Sequence, residues 1–220
     1  RTGPPIGGLF FEPSVLLPQE LADEVVSFCM NTYFLSPADN QVMLFGRFSS
    51  EMSAASESTS GFPGILIDLL ETISHLLRPV VPPETYALLF PAQQTRARQA
   101  IINLYQTGEG ITPHVDLLGR YGDGIVGVSF SSGTVMRFDR VDTSENNSHN
   151  RWDVYLPDRT MIILSEEARY KWTHGIDKKS RDFVASEDNS STGTWIDRAT
   201  RMSITFRWLL PGADVVGDPL

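Results

Sequence analysis

The stretch RMSITFRWLL, residues 201–210, carries the alternation that decides the fold of this 220-residue chain. Its polar and apolar residues alternate, so in a β-strand they fall on opposite faces. The polar face consists of Arg201, Ser203, Thr205 and Arg207, and the apolar face consists of Met202, Ile204 and Phe206. Two guanidiniums that face the inside of a barrel need anions to offset their burial, and a small dicarboxylic acid is such a partner. The alternative is an edge strand whose arginine face lies in water.

Upstream of this strand, six further short segments are apolar or alternating and are bounded by turn residues. They are QAIINLYQ (99–106), GIVGVSFS (124–131), TVMRFDRV (134–141), RWDVYLP (151–157), TMIILSE (160–166) and RYKWTHGI (169–176). Seven strands at this spacing, without helical periodicity between them, predict an antiparallel sandwich or barrel. Two polar insertions, 142–150 and 178–195, are predicted to be long surface loops.

The first third of the chain has helical periodicity instead. Residues 18–34 and 63–80 each place apolar side chains three or four positions apart after a proline, which is typical of amphipathic helices. The serine-rich stretch 49–61 between them has no periodicity and is predicted to be an exposed loop. We therefore expect a β core with helices packed on one side.

Length and composition limit the classes of protein. A chain of 220 residues with 41% hydrophobic content can bury a core, and we expect one domain. No apolar run is long enough for a membrane span and no signal peptide is recognisable, so we expect a soluble, intracellular protein. The lone Cys29 lies in an apolar helix pattern and is predicted to be a small buried residue rather than a nucleophile.

The formal net charge of −9 argues against a protein that wraps nucleic acid nonspecifically, because phosphate neutralisation supplies most of that affinity. Two local clusters remain as candidates for a basic patch, Arg96 with Arg98, and 178–181, which contains Lys178, Lys179 and Arg181. The alternative for both is a set of scattered, solvated charges.

Two histidines and one aspartate form a candidate metal site. His114 and Asp116 are two positions apart just past one predicted strand, and His174 ends a remote one. Two imidazoles and one carboxylate match the facial triad that holds non-heme Fe(II) and leaves positions open. The alternative is a hydrogen-bonded core histidine and a turn-capping aspartate. His75 in a helix pattern and His149 in a polar loop are poorer candidates.

Four motifs together carry a family resemblance. NLYQTGEGITPHVDL (103–117), GIVGVSFSSGTVMRF (124–138), RYKWTHGI (169–176) and RMSITFR (201–207), in this order, resemble the AlkB-type branch of the Fe(II)- and 2-oxoglutarate-dependent dioxygenases. The likeness covers about residues 99–210. It implies a mainly β fold with flanking helices and a double-stranded β-helix (jelly-roll) core in a single 1–220 dioxygenase domain. Within it, 99–210 would be the core and 1–98 the helical support and nucleotide-recognition lid, since NQVMLFGRF, ending at residue 48, is similar to that lid.

The resemblance also implies roles for individual residues. His114, Asp116 and His174 would bind Fe(II), and O2 would be the second substrate. The residues implied for binding 2-oxoglutarate are Asn103, Tyr105, Arg201 and Arg207. The implied reaction converts 2-oxoglutarate to succinate and CO2 while a substrate C–H bond is hydroxylated. Gly108 and Gly110 would let the loop before the ligands turn tightly.

The substrate implied by the resemblance is a modified nucleobase, with RNA favoured over single-stranded DNA. The family's direct-repair demethylases have an acidic residue where this chain has Leu118, whereas RYKWTHGI and EGITPHVD look closest to the eukaryotic branch that hydroxylates a wobble uridine in transfer RNA. Phe45, Phe48 and Phe62 are candidates for stacking an extruded base or for the core. A dioxygenase acting on methylated protein side chains and a noncatalytic binding module remain alternatives. The expected compartment is the cytoplasm, the nucleus or both.

Overall fold

The structure, a computed structural model, describes residues 3–46, 61–142, 150–185 and 192–213. The strands in these ranges are β1 (Leu9–Leu16), β2 (Gln41–Gly46), β3 (Arg98–Tyr105), β4 (Ile111–His114), β5 (Ile125–Phe130), β6 (Thr134–Arg140), β7 (Arg151–Leu156), β8 (Thr160–Leu164), β9 (Trp172–Ile176), β10 (Arg181–Ala185), β11 (Gly193–Asp197) and β12 (Arg201–Trp208). The helices are α1 (Gln19–Thr32), α2 (Gly64–Leu77), α3 (Pro83–Leu89) and α4 (Glu166–Tyr170). None of these helices has the length and apolar character to cross a membrane.

Two antiparallel sheets build the core. The larger sheet has the strand order β1-β8-β5-β12-β3-β2 and the smaller one the order β4-β9-β6-β7. Residues of both sheets line one central cavity and pack into one apolar cluster, so the sheets face each other. This is the predicted double-stranded β-helix, and all seven strands predicted from the periodicity are present.

Strand β12 lies in the middle of the larger sheet, with β5 on one side and β3 on the other. Its apolar residues Met202, Ile204 and Phe206 are at most 2% exposed and face the helices. Its polar residues point the other way, into the cavity between the sheets. The alternative of an edge strand with arginines in water is therefore wrong.

Helices α1 and α2 cover the outer face of the larger sheet, as predicted. Each presents an apolar stripe to the sheet, and Val25, Leu69 and Ile73 have no solvent exposure. Complete burial of such a side chain stabilises the fold by roughly 1.5–3 kcal/mol. Cys29 is buried in the same layer, and burial raises the pKa of its thiol to about 12. The thiol is therefore uncharged at neutral pH, which agrees with its predicted role as a small core residue.

The first third is not only helical. Strand β1 pairs with β8, strand β2 pairs with β3, and α3 is a third helix that the periodicity did not predict. Strand β1 contains Pro13 and lacks a clean alternation, so its extended conformation depends on the free edge of β8. The chain upstream of residue 98 thus contributes both edges of the larger sheet.

The prediction of a long surface loop at 178–195 is wrong in part. Residues Arg181–Ala185 and Gly193–Asp197 form the β10–β11 hairpin, in which Phe183 pairs with Trp195. Polar and charged residues between the strands obscured the short alternating runs. The serine-rich loop at 49–61 and the 142–150 insertion lie almost entirely outside the described residues, as do Phe48 and His149.

Candidate active site

The two histidines of the candidate metal site lie side by side on neighbouring strands. His114 ends β4, His174 lies within β9, and the strand register places the two residues directly opposite each other. Their ring centroids are 4.5 Å apart. The strand pairing therefore brings together two residues that are far apart in the sequence, and Asp116 follows on the loop after β4.

The three side chains have the geometry of a metal site. One potential ligand atom from each of His114, Asp116 and His174 lies within 4.8 Å of the others, and His114 Nε2 is 3.5 Å from Asp116 Oδ1. His114 Nδ1 lies 2.9 Å from the backbone carbonyl oxygen of Thr112. A hydrogen bond to that carbonyl requires a proton on Nδ1, so Nε2 is the nitrogen that would bind a cation once it is deprotonated.

The electrostatics of the cluster favour the protonation states that a cation needs at His174 and Asp116. Burial lowers the pKa of His174 to about 4, which keeps this imidazole neutral at pH 7. Burial alone would raise the pKa of Asp116, but the hydrogen bond from His114 and the charge of Arg207 lower it below its usual range. Asp116 is therefore an anion, and the same contact raises the pKa of His114.

All seven predicted site residues line one cavity of about 410 Å³, which is large enough for a small organic acid beside a metal. The two histidines and Asp116 lie on one side, contributed by the smaller sheet and the loop after β4. The residues on the opposite wall, from β3 and β12, are Asn103, Tyr105, Arg201 and Arg207. The structure thus brings together residues that were selected separately in the sequence.

Arg201 is a buried cation at one end of this cavity. Its Nε donates a 2.9 Å hydrogen bond to Ser129 Oγ, and its guanidinium lies 5.5 Å from the ring centroid of Tyr105. Among the residues that the structure describes, no carboxylate lies within ion-pair distance of it. Burial lowers its pKa to about 10, so it stays charged at neutral pH. A buried guanidinium without an acidic partner fits a carboxylate-bearing ligand.

Arg207 differs because it already has an acidic partner inside the protein. Its Nη1 lies 3.0 Å from Asp116 Oδ1, its Nη2 donates to Gln99 Oε1 at 2.6 Å, and it stacks 3.9 Å from the ring centroid of Tyr121. Its buried Nε has no hydrogen-bond partner among the residues that the structure describes. Arg207 therefore orients the carboxylate of the metal cluster and still has one buried donor for a ligand.

Two neutral donors complete this wall. Asn103 accepts a 2.7 Å hydrogen bond from Gln41 Nε2 through its Oδ1, which leaves its own amide hydrogens for a ligand. Burial raises the pKa of Tyr105, so its hydroxyl remains a donor. Gln41 was not among the predicted site residues, and its alternation with Met43 on β2 is the signal that could have identified it.

The loop before His114 depends on two glycines, as predicted. Gly108 has a φ of +88°, a conformation that L side chains rarely adopt. A Cβ at Gly110 would lie 2.1 Å from the carbonyl oxygen of Ile176, so any side chain there would push β4 away from β9. The second glycine thus protects the strand pairing that places the two histidines.

The remaining candidates lie elsewhere. His75 is exposed on α2, and Phe62 packs 6.2 Å from the ring of Phe206 as part of the core. Phe45 is partly buried in β2. Leu118, which occupies the position of the acidic residue in the family's direct-repair demethylases, is 56% exposed beside the cavity.

Comparisons with known proteins agree with this geometry. The family model of the 2OG-Fe(II) oxygenase superfamily matches residues 32–207. An uncharacterized protein, L905, of Acanthamoeba polyphaga mimivirus is 38% identical over 109 residues, which are 50% of this chain and 47% of that protein. The Xenopus tropicalis tRNA (carboxymethyluridine(34)-5-O)-methyltransferase alkbh8 is 36% identical over 118 residues, which are 50% of this chain and 18% of that protein. The chain thus spans less than half the length of these relatives.

Solved structures share the fold. OsALKBH1 superposes with a TM-score of 0.51 at 16% identity, covering 91% of this chain and 97% of that one. A prolyl-4-hydroxylase of Pseudomonas putida superposes with a TM-score of 0.53 at 10% identity, covering 92% of each chain. The donor set of two imidazoles and a carboxylate fits Fe(II), and the buried Arg201 fits 2-oxoglutarate. The chain is similar to AlkB-type relatives, and it belongs to the 2OG-Fe(II) oxygenase superfamily, a family of dioxygenases that depend on Fe(II), 2-oxoglutarate and O2.

Proposed function

We propose that this dioxygenase hydroxylates a modified nucleobase in RNA, with Fe(II) held by His114, Asp116 and His174. The observation that carries the proposal is the cluster of these three side chains in the same cavity as a buried arginine without an acidic partner. Bound Fe(II) would supply the oxidising chemistry, in which O2 and 2-oxoglutarate are consumed and a substrate C–H bond becomes C–OH.

The opposite wall would bind 2-oxoglutarate. Arg201 would pair with one carboxylate, because its charge is buried and lacks an acidic partner among the described side chains. Asn103 and Tyr105 would add neutral hydrogen bonds that set the orientation of the acid. Arg207 would hold Asp116 in place and donate its remaining buried N–H toward the ligand.

The cavity favours a neutral base over a cationic one. Among the described residues that line it, Asp116 is the only carboxylate, and this group is already committed to the metal cluster. The rim carries exposed apolar side chains, Met43 and Leu117, with Leu118 beside them. A positively charged methylated base would find no counter-charge there, whereas the ring of a substituted uridine carries no positive charge. The name of the frog relative, a carboxymethyluridine methyltransferase, supports a uridine substrate.

The β10–β11 hairpin supports a nucleic acid substrate. Phe183 and Trp195 are 42% and 58% exposed, and their rings pack with centroids 5.5 Å apart. The guanidinium of Arg181 lies 4.7 Å from the centroid of Trp195. Exposed aromatic rings beside an arginine suit the stacking of unpaired bases. The hairpin connects β9 to β12, which both line the cavity, and the proposed substrate implies a compartment that contains RNA, the cytoplasm or the nucleus.

A methylated protein side chain is the second candidate, because the net charge of −9 suits a basic partner. A noncatalytic role does not account for a cavity that contains three potential metal ligands and an arginine without an acidic partner.

Succinate formation tests the proposal. Purified protein with Fe(II), ascorbate, 2-oxoglutarate and O2 is offered transfer RNA, methylated single-stranded DNA or methylated histone peptides in separate reactions. We expect the RNA pool to stimulate succinate formation, and Asp116→Ala and His174→Ala to abolish it, while His75→Ala, on the exposed face of α2, behaves as the wild type. Stimulation by the peptides alone would assign the second candidate. Equal turnover in the Asp116→Ala protein would refute the metal site.

A further inference from the structure

Among the described residues, Arg169 is the largest side chain with almost no solvent exposure, at 2%, although it carries a charge. It lies on α4, and its guanidinium donates hydrogen bonds to backbone carbonyl oxygens of a single loop. The acceptors are those of Asp116 at 2.9 Å, Tyr121 at 3.0 Å and Gly122 at 3.2 Å, with a longer contact to Leu117 at 3.4 Å. One side chain therefore holds both ends of the loop 116–122.

Burying the Arg169 guanidinium costs desolvation free energy, which suggests that this side chain has a positional role. Among the described residues Arg169 has no carboxylate within ion-pair distance, so its charge is compensated mainly by carbonyl dipoles and by the ring of Tyr170, whose centroid is 4.9 Å from the guanidinium. Replacing buried charges with apolar residues of similar size is often neutral or stabilising in proteins. What the guanidinium provides and an apolar residue cannot is a rigid fork of donors that fixes several carbonyls at once.

The loop that Arg169 holds carries two parts of the site. Its first residue, Asp116, presents its carboxylate to the two histidines, and its sixth, Tyr121, places its ring against Arg207. Arg169 itself lies just before β9, the strand that carries His174. The guanidinium thus connects the segment that carries one imidazole to the segment that carries the carboxylate.

We propose that Arg169 is a positioning residue that sets the spacing between Asp116 and His174, and so the affinity of the site for its metal. The inference rests on the proposed metal site. Ligand atoms must be held within roughly 0.5 Å of their productive positions. The second half of the loop is also bonded to the end of β12 and the segment after it, through the Tyr121–Leu209 bridge and the hydrogen bond from Gly122 N to Trp208 O. The backbone at Asp116 itself is held by the hydrogen bond from Arg169. Arg169 touches neither metal nor 2-oxoglutarate, so its effect passes through the loop backbone.

The test compares two variants with a matched control. Arg169→Lys keeps the positive charge but loses the planar set of guanidinium donors. Arg169→Met keeps a similar side-chain length but loses both the charge and the donors. Arg98→Lys is the control, because Arg98 also donates to a backbone carbonyl, that of Leu89, but stacks on Trp208 outside the cavity. Mn(II) binding to the metal-free proteins is measured by paramagnetic resonance. Amide hydrogen exchange of 116–122 and thermal unfolding are measured on the same samples.

We expect Mn(II) to bind about 10–100-fold more weakly to both Arg169 variants, as for other residues that orient metal ligands. Exchange in 116–122 should accelerate in both variants, with Arg169→Met affected more, while Arg98→Lys binds Mn(II) as the wild type does. Wild-type affinity in both Arg169 variants would overturn the inference and leave the metal site intact. An equal loss in Arg98→Lys would also overturn it, because the effect would then be one of general destabilisation. A wild-type protein that binds no Mn(II) would overturn the metal site itself.

Discussion

At the residue scale, the two arginines of β12 perform different tasks although the alternation makes them equivalent. Arg207 forms an ion pair with Asp116, whereas Arg201 has only Ser129 and the ring of Tyr105 as described partners. The difference arises because the loop 116–122 covers one end of the strand and not the other. Substitutions of these two residues should therefore have separable effects.

Replacing Arg201 with glutamine should raise the KM for 2-oxoglutarate and leave Mn(II) affinity close to that of the wild type. A charge-assisted hydrogen bond contributes about 1.5–3 kcal/mol, which corresponds to roughly 10–100-fold in KM. Steady-state kinetics with varied 2-oxoglutarate and a separate Mn(II) titration give both quantities. Arg207→Gln is the comparison and should weaken both, since Arg207 touches the ligand carboxylate. An unchanged KM in Arg201→Gln would contradict the assignment.

Asp177 should contribute a small part of the stability that depends on pH. The hydrogen bond from Lys179, followed by the charge of Arg137, lowers the pKa of this carboxyl below its ordinary value of about 3.9. A lowered folded pKa stabilises the protein above that value, and the contribution disappears as the pH falls through the folded pKa.

Asp177→Asn should therefore be less stable than the wild type at pH 7, by about 1 kcal/mol or less because the side chain is partly exposed. The difference should vanish at the acidic end of the range. Urea unfolding between pH 2 and 7 measures it, and a difference that grows toward low pH would show that the sign is wrong.

At the element scale, the alternation of β12 separates stability from ligand binding. Ile204 has no exposure and packs under the helices, whereas Ser203 faces the cavity on the other side of the same strand. Ile204→Ala should lower the free energy of unfolding by about 2–5 kcal/mol through loss of burial and the cavity it leaves. Ser203→Ala should cost less than about 1 kcal/mol and instead alter the KM for 2-oxoglutarate. Denaturant unfolding with kinetics on both proteins checks this, and equal destabilisation would contradict it.

The β10–β11 hairpin should bind RNA without contributing to the metal site. Its inner side is anchored by the buried ion pair of Arg198 with Asp182, and its outer side exposes Phe183 and Trp195. Trp195→Ala should weaken RNA binding by about 5–100-fold, the loss expected for a stacked base, with Mn(II) affinity unchanged. Leu35→Ala, another exposed apolar residue, is the control in a fluorescence-anisotropy titration. Unchanged RNA affinity in Trp195→Ala would remove the hairpin from the proposed interface.

At the scale of the whole molecule, the helices bury one face of the larger sheet and the smaller sheet covers the other. The cavity between the sheets therefore lies on the opposite side of the larger sheet from the apolar helix layer, and the charged groups that line it can contact a ligand. Ligands that bind only the folded protein stabilise it by mass action.

Mn(II) or 2-oxoglutarate at about 100 times its dissociation constant should each raise the free energy of unfolding by about 2.7 kcal/mol. For a domain of this size the expected rise in Tm is roughly 5–10 °C per ligand. Thermal scans with and without a chelator measure it, and His174→Ala should show no shift with Mn(II). A wild-type Tm that does not respond to either ligand would contradict the proposed site.

Local patterns were sufficient for much of the fold, whereas the candidate site residues were selected from residue chemistry together with the family resemblance. The seven strands and the helices α1 and α2 follow from periodicity, because burial on one face requires the same spacing wherever the element lies. The strands β1, β2, β4, β10 and β11 were missed because their conformation depends on pairing partners rather than on strong patterns of their own.

The sequence by itself determined the β architecture, the alternation that gives β12 one polar face, and the donor types from which a metal site could be built. Only the tertiary structure decided that this polar face points into the cavity and that His114 pairs with His174 across two strands. It also decided that Arg207 forms an ion pair with Asp116 and that Arg169 holds the loop 116–122. The physical reason is the sequence separation of the residues that are in contact. Periodicity reports how one segment meets solvent and core, whereas these contacts join residues about 50–90 positions apart and depend on strand register and on the path of a loop.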